Sequence, residues 1–145
     1  MMRRLTLLFA TLILAGCGSQ QGAYQIDGNN HALSVTRTQD YPGSDWTNYL
    51  VVSRYPDCQR RYRLKDTGDN FKLDIYRVKP GVFILNQSKR WYVTETQACQ
   101  WQQFPEPPPE PGELIGTLQT KADELVWIDK QEKKDQAPDK AAAAK

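Results

Sequence analysis

Three thiols, one imidazole and a few closely spaced carboxylates are the groups in this 145-residue chain that could do reaction chemistry. His31 follows Asp27-Gly28-Asn29-Asn30, a turn-rich tetrad, which places it at the surface beside a turn rather than at a proton-transfer site. The close carboxylate pairs are Asp66 with Asp69, Glu106 with Glu110, and Asp123 with Glu124. Two carboxylates can share acid–base work on a glycosidic bond. These pairs fall in turns and in a proline-rich stretch, where water surrounds both members and no apolar pocket sets one apart as the acid. Asp66-Thr67-Gly68-Asp69-Asn70 is rich in oxygen ligands but lacks the alternation and terminal glutamate of a calcium loop. A G-x-S-x-G elbow, a phosphate-binding glycine loop and an H-E-x-x-H pair are all missing. The expectation is a non-enzymatic protein with no catalytic residue, metal or cofactor.

The cysteines, at positions 17, 58 and 99, lack the C-x-x-C spacing or neighbouring histidines that a zinc or redox site needs. Cys17 has a distinctive setting. Arg3 and Arg4 precede an apolar run from Leu5 to Leu14, interrupted by Thr6 and Thr11. That run falls short of the about 20 residues that cross a bilayer, and suits the apolar core of a secretory signal. It ends in Leu14-Ala15-Gly16-Cys17, which resembles the lipobox of bacterial lipoproteins. The resemblance covers the first 17 residues and matches all four lipobox positions. It implies a diacylglyceryl thioether on Cys17, removal of residues 1–16 and acylation of the new amino terminus. One acyl chain holds a protein to a membrane only marginally, whereas several on one residue make a lasting anchor. In that class an aspartate after the cysteine favours retention in the inner membrane. Gly18 and Ser19 imply the outer membrane, facing the periplasm.

Removing residues 1–16 takes Arg3 and Arg4 with it and leaves 17 basic against 17 acidic residues. A near-neutral chain has no whole-surface affinity for nucleic acid, and none is expected as a partner. With Cys17 committed to lipid, Cys58 and Cys99 form the simplest disulfide for an exported domain. Closing a loop of about 40 residues contributes roughly 4 kcal/mol in the chain-entropy picture. Residues 17–23 read as a lipidated tether, 24–129 as a single β domain and 130–145 as a disordered Lys/Ala-rich tail too polar to offset its own ordering.

The elements that would carry these groups are strands. Short runs flank the tetrad at 27–30, and "WTNYLVVSRY" (46–55) is rich in aromatic and β-branched residues. In "RRYRLK" (60–65), Tyr62 and Leu64 face one side while Arg61, Arg63 and Lys65 face the other. The turn at 66–70 predicts a hairpin with "FKLDIYRV" (71–78), whose apolar parity shifts at Tyr76 as at a bulge. "VFILN" (82–86) reads as a central strand, "RWYVTET" (90–96) as its neighbour, and "QACQWQQF" (97–104) as either a strand or a helical turn. The proline-rich strap 105–112 spans roughly 20–25 Å and returns a last hairpin, residues 113–129, to the main sheet. The sum is a small antiparallel β-barrel or β-sandwich of seven to eight short strands.

Recognition remains as the expected activity. Arg60, Arg61, Arg63 and Lys65 are concentrated beside Cys58, with Arg54 just before it, and three of them share one strand face as a basic stripe at the disulfide corner. The stripe suits an anionic envelope component or an acidic protein face. The plainer reading is a solvated strand face partnered by Lys72 and Asp74 across the hairpin. Four tryptophans and seven tyrosines could stack on sugars, but in β domains they more often fill the core. The leading expectation is therefore a lipid-anchored surface interaction module. The alternatives are a β-barrel that binds a small ligand or glycan, and an inhibitor of a cell-wall hydrolase. Inhibitory lipoproteins that act on lysozyme are similar in anchor, size and disulfide, but the chain lacks their S-G-x-x-Y type of loop.

Overall fold

The structure is a computed structural model that describes residues 17–131. Residues 1–16, expected to be a signal segment, lie outside the described residues, as does the tail beyond Gln131. Ten strands are present among the described residues, all paired antiparallel. The first four, β1 (Gly18–Gln25), β2 (His31–Gln39), β3 (Trp46–Arg54) and β4 (Cys58–Arg63), form one sheet in sequence order. The others are β5 (Lys72–Lys79), β6 (Val82–Gln87), β7 (Arg90–Glu95), β8 (Gln100–Phe104), β9 (Glu113–Lys121) and β10 (Glu124–Asp129). They form a six-stranded sheet in the order β10-β9-β5-β6-β7-β8.

The two sheets share one core. Leu33, Val35, Leu50 and Val52 from the first meet Leu73, Ile75, Phe83, Leu85 and Leu118 from the second, all but sealed from water. Each follows from strand alternation, which sends every second residue inward. Where the outer strands of the two sheets meet, aromatic rings fill the space. Tyr24 of β1 packs on Trp127 of β10 with ring centroids 4.6 Å apart. Trp101 of β8 stacks between Tyr92 of β7 at 4.3 Å and Tyr62 of β4 at 5.4 Å. The Cys58–Cys99 disulfide, with its Cα atoms 5.9 Å apart, fixes that same side.

Three sequence expectations are corrected. The strand count is ten rather than seven to eight. Residues 18–23, expected to be a flexible tether, extend the short run before the 27–30 turn into β1, which pairs in register with β2 from Gly18↔Gln39 to Gln25↔Ala32. Its polar sequence gives no apolar alternation; its partners are interior. Gln20 Oε1 accepts from Arg37 at 2.7 Å, and Gln20 Nε2 donates to the Asp123 carbonyl at 3.0 Å. A Cβ on Gly22 would stand 2.9 Å from Leu125, so the absence of a side chain lets β10 lie against β1. β8 is a strand where the sequence left strand and helical turn both open.

The third correction concerns the hairpin joining 60–65 to 71–78, which does not form. β4 pairs with β3, while β5 pairs with β6 and β9 in the other sheet. The segment between them is a crossover, held at its base by Arg37. This guanidinium is fully buried and uses all five N–H groups. Nε donates to Asn48 Oδ1 at 2.8 Å. One terminal nitrogen donates to Gln20 Oε1 and the Asp69 carbonyl, the other to Thr67 Oγ1 and the Gly68 carbonyl. Its Cζ lies over the Trp46 ring, 4.6 Å from the centroid, and over the Phe71 ring, 5.2 Å from the centroid. Thr67 exchanges backbone hydrogen bonds with Trp46, and Phe71 then bonds to Thr120 of β9, which completes the passage between sheets. The Gly68 and Asp69 carbonyls of this loop thus face an internal cation.

Replacing Arg37 with Met keeps the volume but strips five acceptors of their donor, and lost buried hydrogen bonds of this kind destabilise by about 1–3 kcal/mol each before relaxation. Urea unfolding of Arg37→Met is expected to show a loss of about 3 kcal/mol or more. Arg37→Lys is expected to recover little of it, because an ammonium cannot reproduce the planar fork.

Candidate functional site

The basic residues singled out in the sequence all lie along or just after β4, the edge strand of the four-stranded sheet. The expected face keeps Arg61 and Arg63, with Lys65 exposed just past the end of the strand. Arg61 and Arg63 sit opposite Val51 and Tyr49 on the outward face. Arg60 sits opposite Val52, a core residue, and so belongs to the other face, where it stays exposed between Cys58 and Tyr62. Lys65 lies past the end of the strand. Its backbone N–H donates to Gln87 Oε1 at 3.1 Å, and its carbonyl accepts from Asn48 and Gln87.

The cross-hairpin partners expected for these cations are also corrected. Lys72 and Asp74 pair with each other on β5, 3.5 Å apart, in the opposite sheet. Arg63 instead pairs with Asp66 at 2.8 Å, which raises its pKa through that hydrogen bond and charge. Arg61 lies over the Tyr49 ring, 3.5 Å from the centroid. Arg54 meets Asp57 at 3.8 Å. What remains outward is a cation on an aromatic platform beside a paired arginine, on a sheet face otherwise built of small polar residues such as Ser34, Thr36 and Thr47.

The disulfide corner is a tightly hydrogen-bonded pole. Glu95 accepts backbone N–H groups of Gln97, Ala98 and Gln100 at 2.8–3.1 Å, capping the turn that brings Cys99 to Cys58. Burial pushes its carboxyl up, but those three N–H groups outweigh it, with help from Arg54, and the pKa falls below the ordinary value. Cys99 has φ of 55°, and its carbonyl accepts the Tyr62 hydroxyl. His31 Nε2 shares a 2.8 Å hydrogen bond with Thr96 Oγ1. The imidazole and the Glu95 carboxylate are thus both engaged in holding the pole.

The remaining sequence candidate, Cys17, lies at the opposite pole. It is exposed and is the free cysteine. Its Sγ is 3.6 Å from the Asp40 carbonyl, at the rim formed by the β2–β3 loop. Arg37 was missed by sequence reasoning. Its signal was its parity: it continues the inward series Leu33 and Val35 along β2.

No protein-family model matches this chain, and no curated protein or solved structure does.

The disulfide pole makes a pH prediction. Desolvation first, and repulsion from Arg54 second, lower the His31 pKa below its ordinary 6.5, with Asp27 partly opposing. A folded state that binds the proton less tightly than the unfolded chain keeps this contribution to stability above pH 6.5 and loses it as pH falls through the lowered folded-state value. An NMR titration of the single imidazole should give a pKa under 6.5 that moves upward in Arg54→Gln. A value at or above the ordinary one would contradict the assigned burial.

Proposed function

We propose that the chain is a lipoprotein of the bacterial cell envelope, lipidated on Cys17, that acts without catalysis as a surface interaction module facing the periplasm from the outer membrane. One observation carries this reading. The cysteine that closes the lipobox-like Leu14-Ala15-Gly16-Cys17 is exposed at the start of the domain, while the other two are joined to each other. A disulfide in so small a domain suits an oxidising compartment such as the periplasm.

The two sheets are read as the layers of a sandwich. The disulfide and the Tyr62–Trp101–Tyr92 stack close one side, and the contact of β1 with β10 closes the other. Its inward positions are filled by large side chains, so recognition belongs to the outside. The outward face that bears Tyr49, Arg61 and Arg63 suits an anionic envelope component or an acidic protein face. The non-catalytic reading is supported by the engagement of His31 with Thr96 and of Glu95 with its turn.

Intact mass of the membrane-extracted protein tests the proposal. The expected mass lacks residues 1–16 and carries added acyl groups, and Cys17→Ser abolishes both changes. An unlipidated precursor, or a chain cut elsewhere, would refute it. With the anchor established, crosslinking in cells is expected to capture a partner through β4 that is lost in Arg61→Glu/Arg63→Glu, while thermal unfolding of that variant stays near that of the parent.

A further inference from the structure

Resting on the lipidation of Cys17 proposed above, we infer that the Asp40–Asp45 loop lies in the headgroup layer of a phospholipid membrane, with Tyr41 as a second contact, and that the disulfide pole points away from it. The first argument is the missing slack. Gly18 is already the first residue of β1, opposite Gln39, so nothing separates the lipidated cysteine from the folded rim. A thioether to diacylglycerol puts the cysteine sulfur near the boundary between acyl chains and headgroups. The headgroup layer of each leaflet is roughly 5–8 Å thick. Asp40, with its carbonyl 3.6 Å from that sulfur, therefore falls inside it.

The placement requires Gly18 and Ser19 to stay paired with Gln39 and Thr38, and fraying is bounded. Gln20 is held by Arg37 on one side and Asp123 on the other. Only residues 17–19 can peel away, which gives roughly 10 Å of reach at most.

The second argument is the loop itself. It is a built turn: Ser44 donates to the Tyr41 carbonyl through both its backbone N–H at 3.0 Å and its hydroxyl at 2.8 Å. Gln39 Nε2 donates to the Ser44 carbonyl at 2.8 Å, and Gly43 takes a φ of 89° that other residues resist. This turn presents Tyr41 at 66% exposure, one of three large hydrophobic side chains left so exposed among the described residues. Tyrosine, with an apolar ring and a polar tip, suits the interface between water and acyl chains. Acidic Asp40, Asp45 and Asp123 mix with Lys65, Lys89 and Lys121 in the sequence segments at this rim, so seating comes from the anchor and the ring rather than from net charge. The strands then stand along the membrane normal. Tyr55, 67% exposed beside the disulfide, sits roughly 25 Å farther out, the length of β2.

Spin labels test this. The full chain is expressed as Tyr41→Cys or Tyr55→Cys, extracted from membranes, labelled and reconstituted into phosphatidylcholine vesicles. Cys17 is blocked by its thioether and Cys58 is bonded to Cys99, so the introduced thiol alone reacts. The expected result is that a water-soluble nickel complex reaches the label at 41 roughly threefold less than that at 55, with oxygen showing the reverse. Pro42→Cys repeats the reading should Tyr41→Cys disturb the turn. Equal accessibility at the two poles in a sample whose mass shows acylation overturns the inference and leaves the lipoprotein reading standing. A sample without acyl mass removes that reading, and the inference with it.

Discussion

The guanidinium of Arg37 donates five hydrogen bonds inside the domain to groups from β1, β3 and the crossover between the sheets. A buried cation is expensive, and its desolvation lowers the Arg37 pKa to about 10 despite the nearby Asp69 carboxylate. Trp46 Nε1 holds that carboxylate at 3.1 Å. Such an arrangement is better understood as setting geometry than as adding stability. It decides where the chain leaves the four-stranded sheet, and it ties β1 to the body through Gln20. With the pairing to β2, this side chain fixes the attachment of the first strand and so the position of Cys17.

The sides of strands were legible in the sequence where their partners were not. Tyr62 and Leu64 do turn inward and Arg61, Arg63 and Lys65 do face solvent, because alternation is a property of one strand. Pairing is a property of two strands, and the turn-rich stretch at 66–70 looks the same whether it folds back as a hairpin or carries the chain across. What distinguishes the two is Arg37, some thirty residues earlier in sequence. The parity shift after Ile75 was visible, and register irregularities in β5 occur there. The start of β1, residues 18–23, was illegible for a different reason. Gly, Ser and Gln are poor strand formers, and their place in the sheet is set by contacts with Arg37, Asp123 and Leu125 that no local pattern encodes.

The site was read unevenly for the same reason. The Cys58–Cys99 disulfide could be reached by counting thiols. The basic residues of β4 could be found, and alternation gave their faces, but not the pairing of Arg63 with Asp66 and of Arg61 with Tyr49. Those partners reduce the stripe to a narrower patch. They also agree with a general use of charge on edge strands, which discourages pairing with another chain. The arrangement gives the domain a polarity, with Cys17 at one pole and the disulfide at the other, and the patch on the flank between them.

All of this depends on β1 being part of the fold rather than a leash. Amide hydrogen exchange on the full chain tests that point most directly. The account predicts that the β1 amides facing β2 within Gly18–Gln25 exchange as slowly as their partners in His31–Gln39. Exchange of residues 18–25 at the rate of an unstructured peptide, with β2 still protected, would contradict it and make the segment a tether.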